Sequence, residues 1–288
     1  MPKHSTRTTL WNPSTPGEEV FLCLHRGLGL TLNVSSTDED RGVDLDCLGS
    51  KEYFSEFVQL SATTDVFVRC IIASREVHRA VGSGAKPDDV KRGIKHLDLP
   101  IAINRDRHFI ERLFHAGRIA SERSRGMNLA LQKTLVKDLA NCYICGKKLI
   151  AKSSSKDDKH AERTADHLWP LCFGGSTSAD NLLPACFKCN NVRKSLLSWA
   201  SGPVYNTFWS KGSEGAAKDQ KSNPELEVTI PLALARLMDR ASGHGRDTIK
   251  RTMTLKEAAL ELGPIRPDLD YRDDKHYVFT ELLMMTRT

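Results

Sequence analysis

The sequence lacks several features that would place it in common protein classes. None of its 288 residues falls in an apolar stretch long enough to span a membrane, and the polar start, 1–7, carries no apolar run of a signal peptide. It also has no internal repeat, no GxxxxGKS/T phosphate loop and no GxSxG nucleophile elbow, so ATP hydrolysis and acyl transfer have no support. We therefore expect a protein of the reducing cytoplasm that is not inserted in a membrane.

What the sequence does contain is enough apolar material for a sizeable core. Hydrophobic residues make up 40% of the chain and charged residues 27%, as in soluble globular proteins. The net charge of +6 is unevenly spread, because residues 101–200 hold 17 Lys/Arg against 9 Asp/Glu and the remainder holds 25 against 27. A polyanion would approach the basic part, although solvated helix faces explain many single arginines.

Four cysteines form two CxxC pairs separated by forty residues: Cys142, Cys145, Cys186 and Cys189. Each pair places two sulfurs on one side of a tight turn, and two pairs complete the tetrahedron that Zn²⁺ favours. Four thiolates leave no open position for water, so the pattern predicts a structural zinc site rather than two redox motifs. Taken alone, such a pattern is more typical of a non-catalytic zinc ribbon or finger.

The residues between and after the pairs narrow this choice. In chain order they are Asp166-His167, Gly174-Gly175, Asn181-Leu182, Asn190 and Arg193-Lys194. Together with the two CxxC pairs, this series resembles the HNH endonuclease family, the ββα-metal nucleases. The resemblance covers 142–195 and departs from the family pattern in one respect, a long polar insert at 151–163.

The resemblance implies a short hairpin followed by a helix, with one divalent ion held between them. His167 would be the general base that takes a proton from the attacking water. Asp166 and Asn190 would ligate Mg²⁺ or Mn²⁺ through oxygen atoms. Asn181 would hold the loop and ring of His167 in position by hydrogen bonding.

The same resemblance implies phosphodiester hydrolysis in DNA, with RNA not excluded. Arg193 and Lys194 follow Asn190 by about one helical turn and could face the phosphate backbone, together with Lys188. One such module has one active site, so a double-strand break would require a homodimer or two nicks.

Two other functions stay open from the sequence. The first is a non-catalytic, zinc-stabilised nucleic-acid-binding subunit that acts through a partner protein. The second is a partner-dependent effector, because small HNH proteins with unrecognised flanks resemble bacterial anti-phage defence nucleases, in which the nuclease works beside an ATPase.

The expected fold class is α+β. We expect a mainly helical N-terminal domain at 1–140 with a small β element, the HNH module at 141–200, and a linker with a C-terminal helical segment at 201–288. Residues 1–17 read as a loose arm, and two strands are predicted at 20–25 and 28–34. Helices are predicted at 66–81, after Pro87, after a cap at Asn104, and after a capping box at 254–257.

Overall fold

A computed structural model describes residues 11–29, 51–122, 140–151, 158–193, 195, 197, 237, 238, 240–242 and 252–264. Within these residues the chain combines helices with one small two-stranded antiparallel sheet, which fits the predicted α+β class. Of the helices so described, none combines the length and the apolar character needed to cross a membrane. Lys194, residues 152–157 of the polar insert and most of the segment 201–288 lie outside the described residues.

The longer elements follow one another in a simple order. They are α1 (Pro16–Gly29), α2 (Lys51–Val81), α3 (Pro87–Gly93), α4 (Ile101–Arg105), α5 (Arg107–Ser121), β1 (Arg163–His167), β2 (Leu182–Cys186), α6 (Phe187–Arg193) and α7 (Leu255–Leu262). Single 3₁₀ turns lie between some of them, including Leu171–Phe173 and Ala179–Asn181, which belong to the connection between β1 and β2.

Helix α1 corrects the prediction of a strand at 20–25, whereas most of the second predicted strand, 28–34, lies outside the described residues. The apolar residues Val20, Phe21 and Leu24 are fully buried, and their spacing places them on one face of a helix. The helix begins after Thr15, whose hydroxyl oxygen accepts a hydrogen bond from the backbone N–H of Glu18 at 3.3 Å. Residues 11–15 are not a loose arm either, since Trp11 is buried, and 1–10 lie outside the described residues.

The C-terminal end of α2 and the N-terminal end of α3 lie where the sequence predicts them. Helix α2 stops at Val81, and Gly82 follows with a φ of 71°, a left-handed conformation that glycine adopts without strain. Helix α3 begins at Pro87, and the Asp89 carboxylate accepts a hydrogen bond from the backbone N–H of Lys86. The start of α2 is earlier than predicted, at Lys51.

The N-cap of helix α5 lies two residues after the predicted one. Asp106, rather than Asn104, precedes the helix and accepts a hydrogen bond from the backbone N–H of His108 at 2.8 Å. Asn104 lies in α4, where its amide donates to the carbonyl of Leu99 at 2.8 Å. The predicted buried stripe of α5 is confirmed for Phe109, Ile110 and Leu113.

The sheet and the helix after it form a continuous β-β-helix unit. β1 and β2 pair antiparallel, with Arg163 opposite Cys186 and His167 opposite Leu182. Helix α6 starts directly at the end of β2. This places the second CxxC pair across the junction, with Cys186 ending the strand and Cys189 in the helix.

A shared aromatic core joins the helices to this unit. Phe67 of α2 packs edge-on against Trp169, which follows β1, with ring centroids 5.6 Å apart. Phe21 of α1 contacts both rings at 5.5 to 5.6 Å. The core is therefore continuous across residue 140, and the predicted domain boundaries stay predictions.

Helix α7 forms at the predicted capping box. Thr254 accepts a hydrogen bond from the backbone N–H of Glu257, and the Glu257 carboxylate accepts one from the backbone N–H of Thr254. The helix ends before Gly263, which has a φ of 68°. The segment before α7 is tied to the N-terminal segment by a backbone hydrogen bond from Asn12 to Met253.

Candidate functional site

The four cysteines of the two CxxC pairs meet in one cluster. Their sulfur atoms all lie within 4.8 Å of one another, and Cys145 Sγ is 3.8 Å from Cys186 Sγ. A tetrahedral ion with Zn–S bonds of about 2.3 Å would separate its sulfurs by about 3.8 Å. The cluster therefore has the donor atoms and the size to hold a metal ion such as zinc.

Backbone hydrogen bonds shape the two halves of this cluster. In the first turn, the N–H of Gly146 donates to the carbonyl of Cys142 at 2.9 Å, and Gly146 has a φ of 71°. In the second half, the N–H of Cys189 donates to the sulfur of Cys186 at 3.4 Å. Both pairs thus direct their sulfurs to one point.

The pKa values of the four clustered cysteines move in both directions. Hydrogen bonds from neighbouring sulfurs, with that from Cys142 the largest cause, lower the pKa of Cys145 and bring that of Cys186 to about 7. The pKa values of Cys142 and Cys189 rise, because these thiols keep the shared protons. Burial raises the pKa of Cys70, outside the cluster, to about 12. Metals bind thiolates, and the closeness of the four sulfurs, rather than the pKa of any one of them, marks the cluster as the candidate metal site.

The Asp166 carboxylate is buried and engaged on both sides. Its Oδ1 accepts a hydrogen bond from Arg193 Nη1 at 2.6 Å, and its Oδ2 accepts one from the Tyr143 hydroxyl at 2.7 Å. The side chain is 4% exposed. The predicted role of Asp166 as a Mg²⁺ ligand does not fit this arrangement, because an incoming dication would meet the guanidinium of Arg193.

Arg193 requires a correction of its predicted place at a phosphate backbone. Its side chain is fully buried, and it donates to Asp166, to the carbonyl of His167 at 2.6 Å and to the carbonyl of Leu168. Burial is the largest single influence and lowers the pKa of Arg193, but the combined effect of Asp166, Tyr143 and Cys172 outweighs it, so the pKa rises. Of the other two predicted phosphate contacts, Lys188 is half-buried on α6, and Lys194 lies outside the described residues.

His167 stands at the end of β1 with its ring partly accessible. The ring Nε2 lies 3.2 Å from the hydroxyl oxygen of Thr177. Burial lowers the pKa of His167 to about 4, although the charge of Asp166 opposes the shift. The imidazole is therefore neutral near pH 7 and offers one nitrogen lone pair to a proton.

Asn181 holds the loop that follows His167. Its Oδ1 accepts a hydrogen bond from the backbone N–H of Trp169 at 2.7 Å, and its Nδ2 donates to the carbonyls of Trp169 and Ser176. Among the described residues, the side chain that contacts the His167 ring by hydrogen bonding is that of Thr177. Asn181 thus acts on the loop, and Thr177 acts on the ring.

Asn190 is anchored to the middle of β1. Its Nδ2 donates to the hydroxyl of Thr164 at 2.9 Å and approaches the carbonyl of Ala165 at 3.5 Å. Side chains alternate along a strand, so Thr164 lies on the opposite face of β1 from His167. The structure therefore brings Asn190 to the strand that carries Asp166 and His167, without a hydrogen bond to either.

Two residues of this site escaped the sequence reasoning, namely Tyr143 and Thr177. Tyr143 lies inside the first CxxC pair, and a phenol in a metal-binding turn is a usable signal because a buried Tyr hydroxyl needs a partner. Thr177 lies in a Ser/Thr-rich loop and carries no comparable signal.

Comparisons with known proteins do not identify a relative of this chain. No family model, no curated protein and no solved structure matches the chain.

Proposed function

We propose that this protein is an HNH-type endonuclease that hydrolyses phosphodiester bonds in DNA. The observation that carries the proposal is the placement of His167. It is a neutral, half-buried imidazole at the end of the first strand of a β-β-helix unit. One half of the cysteine cluster precedes that unit, and the other half lies where its second strand meets its helix. A zinc-type ion in the cluster would brace the unit, since four thiolates leave it no position for substrate.

In this proposal His167 is the general base. Its free ring nitrogen takes a proton from a water molecule as that water attacks phosphorus. Thr177 holds the other side of the ring at 3.2 Å, and Asn181 fixes the loop beyond it. A pKa of about 4 makes His167 a weaker base than an exposed histidine, but it keeps the ring unprotonated throughout the physiological range.

The requirement for Mg²⁺ or Mn²⁺ is a separate part of the proposal. In the folded chain the Asp166 carboxylate accepts hydrogen bonds from Arg193 and Tyr143, so an ion could bind beside it only if one of these groups moved. Asn190 is better suited, because its Nδ2 makes the contacts to β1 and its amide oxygen accepts no hydrogen bond among the described residues. Chelation by EDTA, followed by addition of Mg²⁺ or Mn²⁺, tests the requirement directly.

A supercoiled-plasmid assay tests the proposed activity. Wild-type protein should convert the plasmid to open-circle or linear DNA, and His167→Ala should not, while its metal content stays unchanged. His160→Ala is the matched control, because His160 is an exposed histidine in the same part of the chain. Retained cleavage by His167→Ala would refute the assignment. The ratio of open-circle to linear product also reports whether one strand or both strands are cut.

One observation favours a second candidate, a zinc-stabilised nucleic-acid-binding subunit without catalysis. The buried ion pair of Asp166 and Arg193 is a complete structural arrangement by itself, with no ion required. This candidate predicts salt-sensitive DNA binding with no nicking under any metal condition. If nicking appears only when a partner such as an ATPase is added, the partner-dependent effector of an anti-phage system is the better description.

A further inference from the structure

Both halves of the cysteine cluster extend one side chain to the same carboxylate. Tyr143 lies between Cys142 and Cys145, is 8% exposed, and donates its hydroxyl to Asp166 Oδ2 at 2.7 Å. Arg193 lies four residues after Cys189 and donates to Asp166 Oδ1 at 2.6 Å. Asp166 is therefore held simultaneously from the first and the second half of the cluster.

The backbone contacts point the same way. The N–H of Tyr143 donates to the carbonyl of Pro184 in β2 at 3.0 Å, so the first cysteine turn is fixed to the sheet. Arg193 also donates to the carbonyl of His167 at 2.6 Å and to that of Leu168. The guanidinium thus grips the last residue of β1 and the residue after it.

These contacts bear on His167 because it directly follows Asp166. A carboxylate held by two hydrogen bonds cannot rotate freely, and the neighbouring backbone carbonyl is held by the same guanidinium. Hydrogen bonds to charged groups are stronger than those between neutral groups, so this arrangement resists local displacement. A displacement of the first cysteine turn would move Tyr143, and a displacement of α6 would move Arg193. Either movement would displace the end of β1.

We propose that Tyr143 and Arg193 are positioning residues that transmit metal binding at the four cysteines to the placement of His167. The effect on cleavage rests on the proposed nuclease function, whereas the effect on the His167 ring does not. In this proposal the four cysteines bind the ion and His167 accepts the proton. Asp166 connects these two parts of the site.

The test compares Tyr143→Phe, which removes one hydroxyl, with Ile144→Val, which removes one methyl group from the same buried turn. Three quantities are measured: the metal bound per chain, the NMR signal of the His167 ring, assigned with His167→Ala, and the rate of plasmid nicking. We expect all variants to keep the metal. Tyr143→Phe should shift the His167 signal and slow nicking about tenfold, as expected for loss of one hydrogen bond to a charged group, and Ile144→Val should do neither.

Exchange of the bound ion tests the connection to the cluster. Replacing Zn²⁺ by the larger Cd²⁺ lengthens the metal–sulfur distances. This should move the NMR signal of the His167 ring in the wild type. In Tyr143→Phe this response should be reduced. Arg193→Lys keeps the charge but loses the fork that holds two carbonyls, and it should shift the His167 signal as well.

A purely structural role gives a different result. Tyr143→Phe and Arg193→Lys would then lower the unfolding temperature and leave the His167 signal, its response to Cd²⁺ and the nicking rate unchanged, which would overturn the inference. If the wild type nicks no DNA, the proposed function fails, but the NMR comparison still decides whether Tyr143 and Arg193 position His167.

Discussion

The indole rings of Trp11 and Trp169 lie against each other, with centroids 6.2 Å apart. Trp11 precedes α1, whereas Trp169 lies two residues after His167. Each indole N–H is satisfied, because Trp11 donates to the Glu18 carboxylate at 3.0 Å and Trp169 donates to the carbonyl of Phe173 at 2.9 Å. The N-terminal segment is therefore part of the packing that supports the loop beyond the candidate base.

Glu18→Gln should destabilise the fold by about 1–3 kcal/mol. The buried carboxylate accepts hydrogen bonds from Trp11, from the N–H and hydroxyl of Ser14, and from Thr15, so an amide nitrogen would face a donor. Denaturant unfolding measures the change. Glu19→Gln is the control, because the side chain of Glu19 is 45% exposed in its ion pair with Arg112. Equal losses for the two variants would contradict the role assigned to Glu18.

Stability should fall as the pH falls from about 6.5 to about 4, and His25 should account for part of the loss. Burial lowers the pKa of His25 to about 4, whereas an unfolded histidine titrates near 6.5. The unfolded chain therefore binds a proton that the folded chain refuses, which costs on the order of 2–3 kcal/mol by pH 4.5. His167 acts in the same direction.

His25→Gln isolates this contribution. Glutamine does not titrate and can still meet the hydroxyl of Thr63, which lies 3.3 Å from His25 Nδ1. The variant should lose less stability than the wild type between pH 7 and pH 4.5, as measured by denaturant unfolding at each pH. The exposed His96→Gln is the control. If His25→Gln lost as much stability as the wild type between pH 7 and pH 4.5, the burial of His25 would not be the cause of the loss.

Wild-type protein should bind about one zinc-type ion per chain, and Cys189→Ser should bind much less. Elemental analysis of the purified protein measures this. Cys23→Ser, a half-buried cysteine beside Asp106, should keep the full metal content. Metal should also leave at low pH, because protons compete for the thiolates. A chain that retains its ion without Cys189 would remove the four-sulfur site.

The nicking rate should be nearly independent of pH between about 5 and 8. A general base must be unprotonated, and burial keeps the pKa of His167 at about 4, so activity should decline only as the pH approaches that value. Single-turnover rates over this range test the point. A decline centred near 6.5 would mean that the ring is hydrated in the active protein.

Local sequence signals predicted the parts of the structure that local chemistry decides. The capping box at Thr254, the stop at Gly82 and the start at Pro87 each depend on residues within one turn. The CxxC spacing likewise predicted that four sulfurs would meet, because each pair is set by its own turn.

Contacts between distant residues decided the rest. The segment after Pro16 looked like a strand, but its apolar face is buried against Phe67 and Trp169 as a helix. Arg193 looked like a surface arginine, and its burial depends on Asp166, which lies 27 residues away. Neither partner can be read from the local pattern, so these parts of the site needed the three-dimensional arrangement.

The aromatic contacts across residue 140 also limit how the protein can be divided. A fragment starting there would carry Trp169, fully buried in the intact chain, without the Phe21 and Phe67 rings that cover it. Such a fragment should aggregate rather than fold on its own. We therefore expect that the β-β-helix unit can be transferred to another scaffold only together with the helices that cover Trp169.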